Sequence, residues 1–248
     1  MKDTQREKEY TEGIAIKGGF LGWLDNYWYH YKWVTIGVAF FLVVAIICIA
    51  QSCNKEKDDL ILLYAGPNQL SIAEADKVSS ALEAIMPEDF DGDGRKSVGL
   101  SLYNILSAEQ LEAIKSETDA EGEHVFVDNT RNSSQYDTYY DYLMTGETSV
   151  IMVDPWLYES LLTAGRLANV KETLGYMPES ACSEYGVTLG NTEFYKSYGV
   201  MQLLPDDTVV CLLKPYVFGK NSDQEHYEHE KEMFKAIVSY GDNGTAQN

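Results

Sequence analysis

Residues 33–50 read WVTIGVAFFLVVAIICIA, eighteen positions without a charged side chain. As a helix rising about 1.5 Å per residue, this run is about 27 Å long, close to the hydrocarbon thickness of a bilayer. Val, Ile and Phe are modest helix formers, but in lipid an unsatisfied backbone costs far more than weak propensity. Just upstream, WLDNYWYHYKW supplies Trp23, Tyr27, Trp28, Tyr29, Tyr31 and Trp33. Amphipathic rings of this kind suit the headgroup layer. Length and flank together argue for a transmembrane helix over 33–50 rather than a buried core helix. They divide the chain into an N-terminal segment with an aromatic belt (1–32), the span (33–50), a linker (51–59), an α/β domain (60–240) and a polar tail (241–248).

Orientation follows from Lys and Arg, because acidic residues contribute little to it. Lys2, Arg6, Lys8, Lys17 and Lys32 precede the span, and only Lys55 and Lys57 lie just after it. The N-terminus is therefore expected in the cytoplasm and the C-terminal domain outside it. A cleaved signal peptide is the alternative. Ala50, Gln51 and Ser52 place small residues at a possible cleavage point, and Cys53 follows as a candidate for lipidation. Against cleavage, thirty-two residues are many for a signal n-region and the apolar run exceeds the usual h-region. Lipoprotein processing at Cys53 would also favour a larger aliphatic residue than Ala50. Both routes leave the domain extracytoplasmic.

Charge separates the same two regions. Residues 1–50 carry five basic and five acidic side chains, so the whole formal charge of -20 lies beyond them. Such an excess excludes nucleic acid as a partner bound through phosphate neutralisation. It favours neutral or cationic ligands over strongly anionic ones. Of the four cysteines, Cys48 lies in the span and Cys53 at its edge. Cys182 and Cys211 lie in the domain, where they can pair in an oxidising compartment or remain buried thiols. No CxxC or ligand cluster suggests zinc.

Beyond the linker, apolar runs alternate with helical patterns. Residues 60–65 (LILLYA) and 149–153 (SVIMV) are continuous apolar runs, as expected of strands buried on both faces. Further strands are expected at 97–105, 124–127 and 208–213. Ser71 with Glu74 three residues on forms a capping box before the stripe Ile72, Ala75, Val78, Leu82, Ile85. Helices are also expected at 108–115, 134–144, 156–164 and 227–240. Gly146 stops the second of these, and Asp154 with Pro155 starts the third. The alternation argues for an α/β fold with a largely parallel sheet. No internal repeat occurs at the usual periods.

Residues 142–168 read YLMTGETSVIMVDPWLYESLLTAGRLA: a Gly-terminated helix, an apolar strand ending at Asp, and a helix followed by AGRLA. The opening LILLYAGPNQLS gives a strand, a Gly-Pro loop and a helix, and TVVCLLKP precedes the final helix. In this order and pattern, over about 59–240, the chain resembles type II periplasmic solute-binding proteins, a bacterial family. The resemblance implies non-enzymatic binding of a small solute in a cleft at strand ends. At about 190 residues the domain is short for two full lobes, and members of that family are usually cleaved lipoproteins. In open α/β sheets, ligands sit beyond the carboxyl ends of strands, beside free N–H groups at helix starts. The expected binding residues are thus Gly66, Asn68, Gln69 and Ser71 after the first strand, and Asp154 and Trp156 after the later one. Asn68 and Gln69 can donate and accept, Trp156 offers a flat wall, and Asp154 can pair with a cation. Turn chemistry accounts for the same residues: Gly-Pro-Asn suits any strand-to-helix turn, and Asp154 suits a cap. The alternative function is a structural or protein-interaction module of a cell-envelope complex using the same fold without a ligand.

Asp89, Asp91 and Asp93, with Gly94 at the sixth place, begin like a calcium loop and resemble the dockerin repeat at those positions. The twelfth place holds Leu100 instead of a bidentate Glu, and an acidic turn explains the same residues. His226 and His229 stand one helical turn apart beside Glu225 and Glu230. They fit a metal pair or a charged helix face. His124 is expected in the core. Asn132 and Asn243 open glycosylation sequons. No GxSxG, P-loop or GxGxxG occurs, and no nucleophile–base pair stands out, so no catalytic residue is assigned.

Overall fold

The computed structural model describes residues 20–53, 58–116, 128–215, 217 and 219–241. The chain divides into two compact units, Met1–Glu56 and Lys57–Asn248. The expected strand at 124–127, with His124, and the Asn243 sequon lie outside the described residues.

The described residues of the first unit form one helix, α1, over Phe20–Cys53. It starts well before residue 33, so the aromatic belt is helical and continuous with the apolar run. Its 34 residues correspond to about 50 Å, more than a hydrocarbon core of about 30 Å. Tyr27 stacks on Trp23 and on Tyr31, each one turn away, with ring centroids 5.7 and 5.4 Å apart. The stretch Tyr27–Cys48 is long and apolar enough to cross a membrane, as an anchor or as a signal sequence. Its Trp33, Phe40 and Phe41 side chains lie 63–77% exposed on the chain itself. A contiguous apolar surface of that kind needs lipid or a partner to cover it.

The described residues of the second unit form an α/β sandwich around one mixed sheet of six strands. Its elements are β1 (Leu60–Gly66), α2 (Ile72–Ile85), β2 (Val98–Asn104), α3 (Ala108–Ser116), α4 (Asn129–Thr145), β3 (Val150–Val153), α5 (Pro155–Thr163), α6 (Val170–Leu174), β4 (Ala181–Ser183), β5 (Gly186–Thr188), α7 (Glu193–Ser197), β6 (Val209–Leu212) and α8 (Gln224–Val238). Short 3-10 turns occupy Leu189–Asn191, Gly199–Leu203 and Lys220–Ser222.

The strand order is β2-β1-β3-β6-β5-β4. β1 pairs in parallel with β2 over seven residues and with β3 over three. β6 runs antiparallel to β3, β5 antiparallel to β6, and β4 antiparallel to β5. The expectation of a largely parallel sheet therefore needs correction: two strand pairings are parallel and three are antiparallel. The cause lies in 189–208, which keeps the chain at one sheet edge, where Leu189 N–H donates to Thr208 O at 2.8 Å. A strand starting from that edge has to run back.

Strand side chains alternate between two cores, as a two-sided sheet requires. Leu60, Leu62, Tyr64, Val150, Met152, Val210 and Leu212 meet Val78 and Leu82 of α2 and Met233 and Phe234 of α8. Leu63, Ala65, Ile151, Val153, Val209 and Cys211 meet Tyr139 and Leu143 of α4 and Leu157 and Leu161 of α5. The helix ends are chemically marked. Ser71 and Glu74 form the capping box of α2. Asp128 caps α4, which therefore starts five residues before the expected 134. Gly146 closes α4 at φ 65°, a conformation that a side chain would disfavour.

Candidate functional site

The chain leaves β1 through α2 to β2 on one side, then returns past β1 to β3 on the other. Adjacent strands whose connections depart in opposite directions form a switch point, and the crevice beyond their carboxyl ends is where open α/β sheets bind ligands. Here that place lies between Gly66 and Asp154. The Asp154 N–H donates to Ala65 O at 2.9 Å, so the two loops start side by side.

The expected residues take different places around this edge. Gly66 is buried, and a Cβ there would stand 2.7 Å from the Tyr64 hydroxyl. That hydroxyl accepts the Asn68 N–H at 3.3 Å, so Tyr64 shapes the loop from below. Asn68 and Gln69 are exposed. Asn68 Nδ2 donates to Leu203 O at 2.8 Å, tying the loop to the turn before β6. The Ser71 hydroxyl donates to Glu74 at 2.7 Å within the capping box. Asp154 is 6% exposed; Oδ1 accepts Trp156 N–H at 3.1 Å and Oδ2 accepts Gln110 Nε2–H at 2.9 Å. The Trp156 ring stacks on Tyr136 of α4, with centroids 5.9 Å apart, and its buried Nε1 has no hydrogen-bond partner. The structure thus brings Gly66, Asn68 and Asp154 to one edge, while Ser71 and Trp156 serve the starts of α2 and α5.

Sequence reasoning missed two groups that complete this edge. Asn104, at the end of β2, donates from Nδ2 to Pro67 O at 2.7 Å. Gln110, in α3, joins Asp154 as described and accepts Ser107 N–H at 2.8 Å. The signal for Gln110 was present, since Ser107 and Gln110 have capping-box spacing. The loops after β1, β2 and β3 are thereby stitched together.

The edge is acidic. Asp206 and Asp207 lie in the turn leading to β6, which enters the sheet at this end. Partial burial, then the charges of Asp154 and Asp206, raise the Asp207 carboxyl above the usual carboxylate range. Burial, with Asp154 and Asp207 adding to it, pushes the Tyr64 phenol up to about 12. Like-charge crowding of this kind is relieved by a cation or a cationic group on a ligand.

The acidic loop before β2 is a separate feature. Asp89 accepts N–H groups from Gly92 and Gly94 at 2.8 and 2.7 Å, which holds its carboxyl below the usual range. Asp91 accepts Asp93 N–H, and Asp93 accepts Arg95 N–H. One carboxylate oxygen each from Asp89, Asp91 and Asp59 lies within 4.8 Å of the others. Asp93 stands outside that group. The twelfth-place Leu100 is locked into the ladder opposite Leu62, and Asp59 takes a place at the loop that spacing alone did not reveal. Asp59 also accepts Phe90 and Asp91 N–H through Oδ1 and Ser97 N–H through Oδ2. The three oxygens could hold a calcium ion, and the turn also closes on its own hydrogen bonds.

The two histidines of α8 diverge. His229 stacks on Phe90 at 4.2 Å, and His226 Nε2 lies 4.0 Å from Glu230. Cys182 and Cys211 are both free thiols, the first exposed and the second buried. No family model, curated protein or solved structure matches this chain.

Proposed function

We propose that this chain is a single-pass membrane protein whose α/β unit lies outside the cytoplasm and binds a small neutral or cationic solute at the switch point, without chemistry. The anchor reading rests on α1, whose apolar surface stands exposed, and on the sequence, in which Lys and Arg are concentrated before the span. The binding reading rests on one observation above the rest. The loops after β1 and β3 begin side by side, with Gly66 at one and Asp154 at the other.

Asn68 and Gln69 are exposed at this edge, with Asn68 Nδ2 already given to Leu203 O, and the acidic turn at Asp206 and Asp207 sets the sign of the preferred ligand. A solute-binding role of the kind the periplasmic family performs uses this same strand-end position. The test is a thermal-shift series on the full chain in lipid nanodiscs, using sugars, amino acids and short basic peptides. A ligand should raise stability by RT ln(1+[L]/Kd), and Asn68→Ala should weaken that rise. A panel that leaves the parent protein unmoved contradicts the binding reading while leaving the anchor intact.

A further inference from the structure

A cavity of about 510 Å³ opens where the loop 176–180, the 3-10 turn Leu189–Asn191, the start of α7 and the end of α8 meet. It shares no lining residue with the switch point. Pockets of roughly 300–1,000 Å³ suit small organic ligands. Tyr176, Met177, Pro178 and Tyr240 supply the apolar part of the wall. Both rings are held in place. The Tyr176 hydroxyl donates to Ser239 Oγ at 2.8 Å, and Tyr240 packs edge-on against Phe194 and Tyr198, with centroids 5.8 and 5.6 Å apart. Yet Tyr176 and Met177 remain 41 and 42% exposed. Apolar side chains left exposed around a hollow that is already shaped offer a ligand surface to cover.

The polar part of the wall sets the sign of that ligand. Three charged side chains line it: Glu179, Glu193 and Lys196. Glu193 and Lys196, one turn apart on α7, pair at 2.8 Å and cancel. Glu179 is left over. It is exposed, and its carboxylate makes no hydrogen bond or ion pair among the described residues. The exposed Asn191 amide is unengaged in the same way. The Thr192 hydroxyl, also in the wall, is already committed: it donates to Leu189 O at 2.7 Å and accepts Tyr195 N–H at 3.2 Å. Helix α8 ends at Val238 in the wall, and the last carbonyls of a helix carry partial negative charge. The open groups are therefore acceptors with a net negative charge. An ammonium answers them with three N–H donors and a positive charge.

We infer that this cavity binds a primary amine with a small apolar body, its ammonium held by Glu179 and the Asn191 amide oxygen and its body laid against Tyr176 and Tyr240. A cation beside a tyrosine face adds to the attraction. A carboxylate head group would meet Glu179 and the end of α8 as like charges, and a neutral one would forgo the ion pair. This is a second site and does not rest on the switch-point reading.

The experiment is calorimetry on the full chain in nanodiscs of zwitterionic lipid, with empty discs as the blank. The probes are phenethylamine, 2-phenylethanol and phenylacetate, which share a body and differ in head group. Phenethylamine should bind about fivefold more tightly than 2-phenylethanol, as one solvent-accessible ion pair allows, and phenylacetate should bind weakest of the three. Glu179→Gln should remove that advantage, weakening phenethylamine by about fivefold and leaving 2-phenylethanol unchanged. Glu159→Gln removes the same charge from an exposed position on α5, which covers the other face of the sheet, and should change nothing. Asn191→Phe, which fills the wall from an exposed position, should abolish binding of both the amine and the alcohol, with an unchanged melting temperature confirming the fold. Failure of phenethylamine to bind, equal binding of phenylacetate, or indifference to Glu179→Gln or Asn191→Phe overturns the proposal. Amine binding that Asn68→Ala weakens while both cavity variants leave it intact belongs to the switch point; it overturns this proposal and supports that reading.

Discussion

The two halves of the sheet are built on different terms. On the β2-β1-β3 side, two strands of seven residues pair along their whole length, and capped helices cover both faces. On the β6-β5-β4 side, β4 and β5 are three residues each, joined by short helices and 3-10 turns. Ladder hydrogen bonds cannot carry the second half. What carries it are side chains from the irregular stretch, Leu189, Phe194, Met201 and Leu204, all fully buried in the same core as Leu62 and Val150. An extended parallel ladder and a set of inserted apolar anchors thus reach one shared interior.

Mutations in the two halves should report on whether they share one interior. Leu63→Ala in β1 and Phe194→Ala in α7 should each cost about 3–4 kcal/mol, since both side chains are 0% exposed. Both variants should still unfold in a single calorimetric transition. A separate early transition in Phe194→Ala would mean that the antiparallel half is its own unit.

The seam between the halves is clamped by α8, which packs on β3 and β6. Glu230, 1% exposed, accepts the Ser149 N–H just before β3 at 2.5 Å, while its Oε2 is buried without a partner. Burial pushes its carboxyl from 4.5 up to about 7, against the smaller opposing pull of the Ser149 and Thr148 hydrogen bonds and the Lys220 charge. A carboxyl raised on folding is favourable while protonated, so stability should fall as pH climbs from about 4.5 to 7. Glu230→Gln keeps the acceptor and removes the titration. It should therefore be more stable than the parent by on the order of 3 kcal/mol at pH 8 and equal to it at pH 4. His226, whose imidazole burial disfavours protonation, titrates in both proteins and drops out of the difference. Denaturation curves at the two pH values measure it; a variant less stable at pH 8 would show that the charged carboxylate is compensated.

A smaller effect sharpens the parallel side. Asp59→Ala removes the acceptor for Phe90, Asp91 and Ser97 N–H groups where β1 and β2 begin, and should cost about 2 kcal/mol. Smaller again, Ser71→Ala should cost about 1 kcal/mol through loss of the α2 cap. Denaturant midpoints at constant slope resolve both.

The same contrast explains what could be read from the residues alone. β1, β3 and β6 announce themselves because strands buried on both faces are unbroken apolar runs. The starts of α2 and α5 carry their own caps in Ser71 and Asp154. The stretch 165–207 offered no such pattern: Ala181 and Ser183 are half-buried, and three-residue strands are too short to show a period. Strand direction was also illegible, since an apolar run such as TVVCLL reads the same either way. At the switch point Gly66, Asn68 and Asp154 were accessible from turn chemistry. Gln110 and Asn104 reach the edge only because β2 lies beside β1, and Asp59 reaches Asp89 across the start of the same pair.

A solute-binding role outside the cytoplasm requires α1 to remain in the lipid with the α/β unit beyond it. Cys182 is exposed on that unit, whereas Cys211 is buried. In a Cys48→Ala, Cys53→Ala chain expressed in cells, a membrane-impermeant maleimide should label Cys182 on the intact cell, and the labelled band should run at full length. Labelling that appears only after lysis would contradict the outward placement, and labelling on a shortened chain released from the membrane would contradict the anchor.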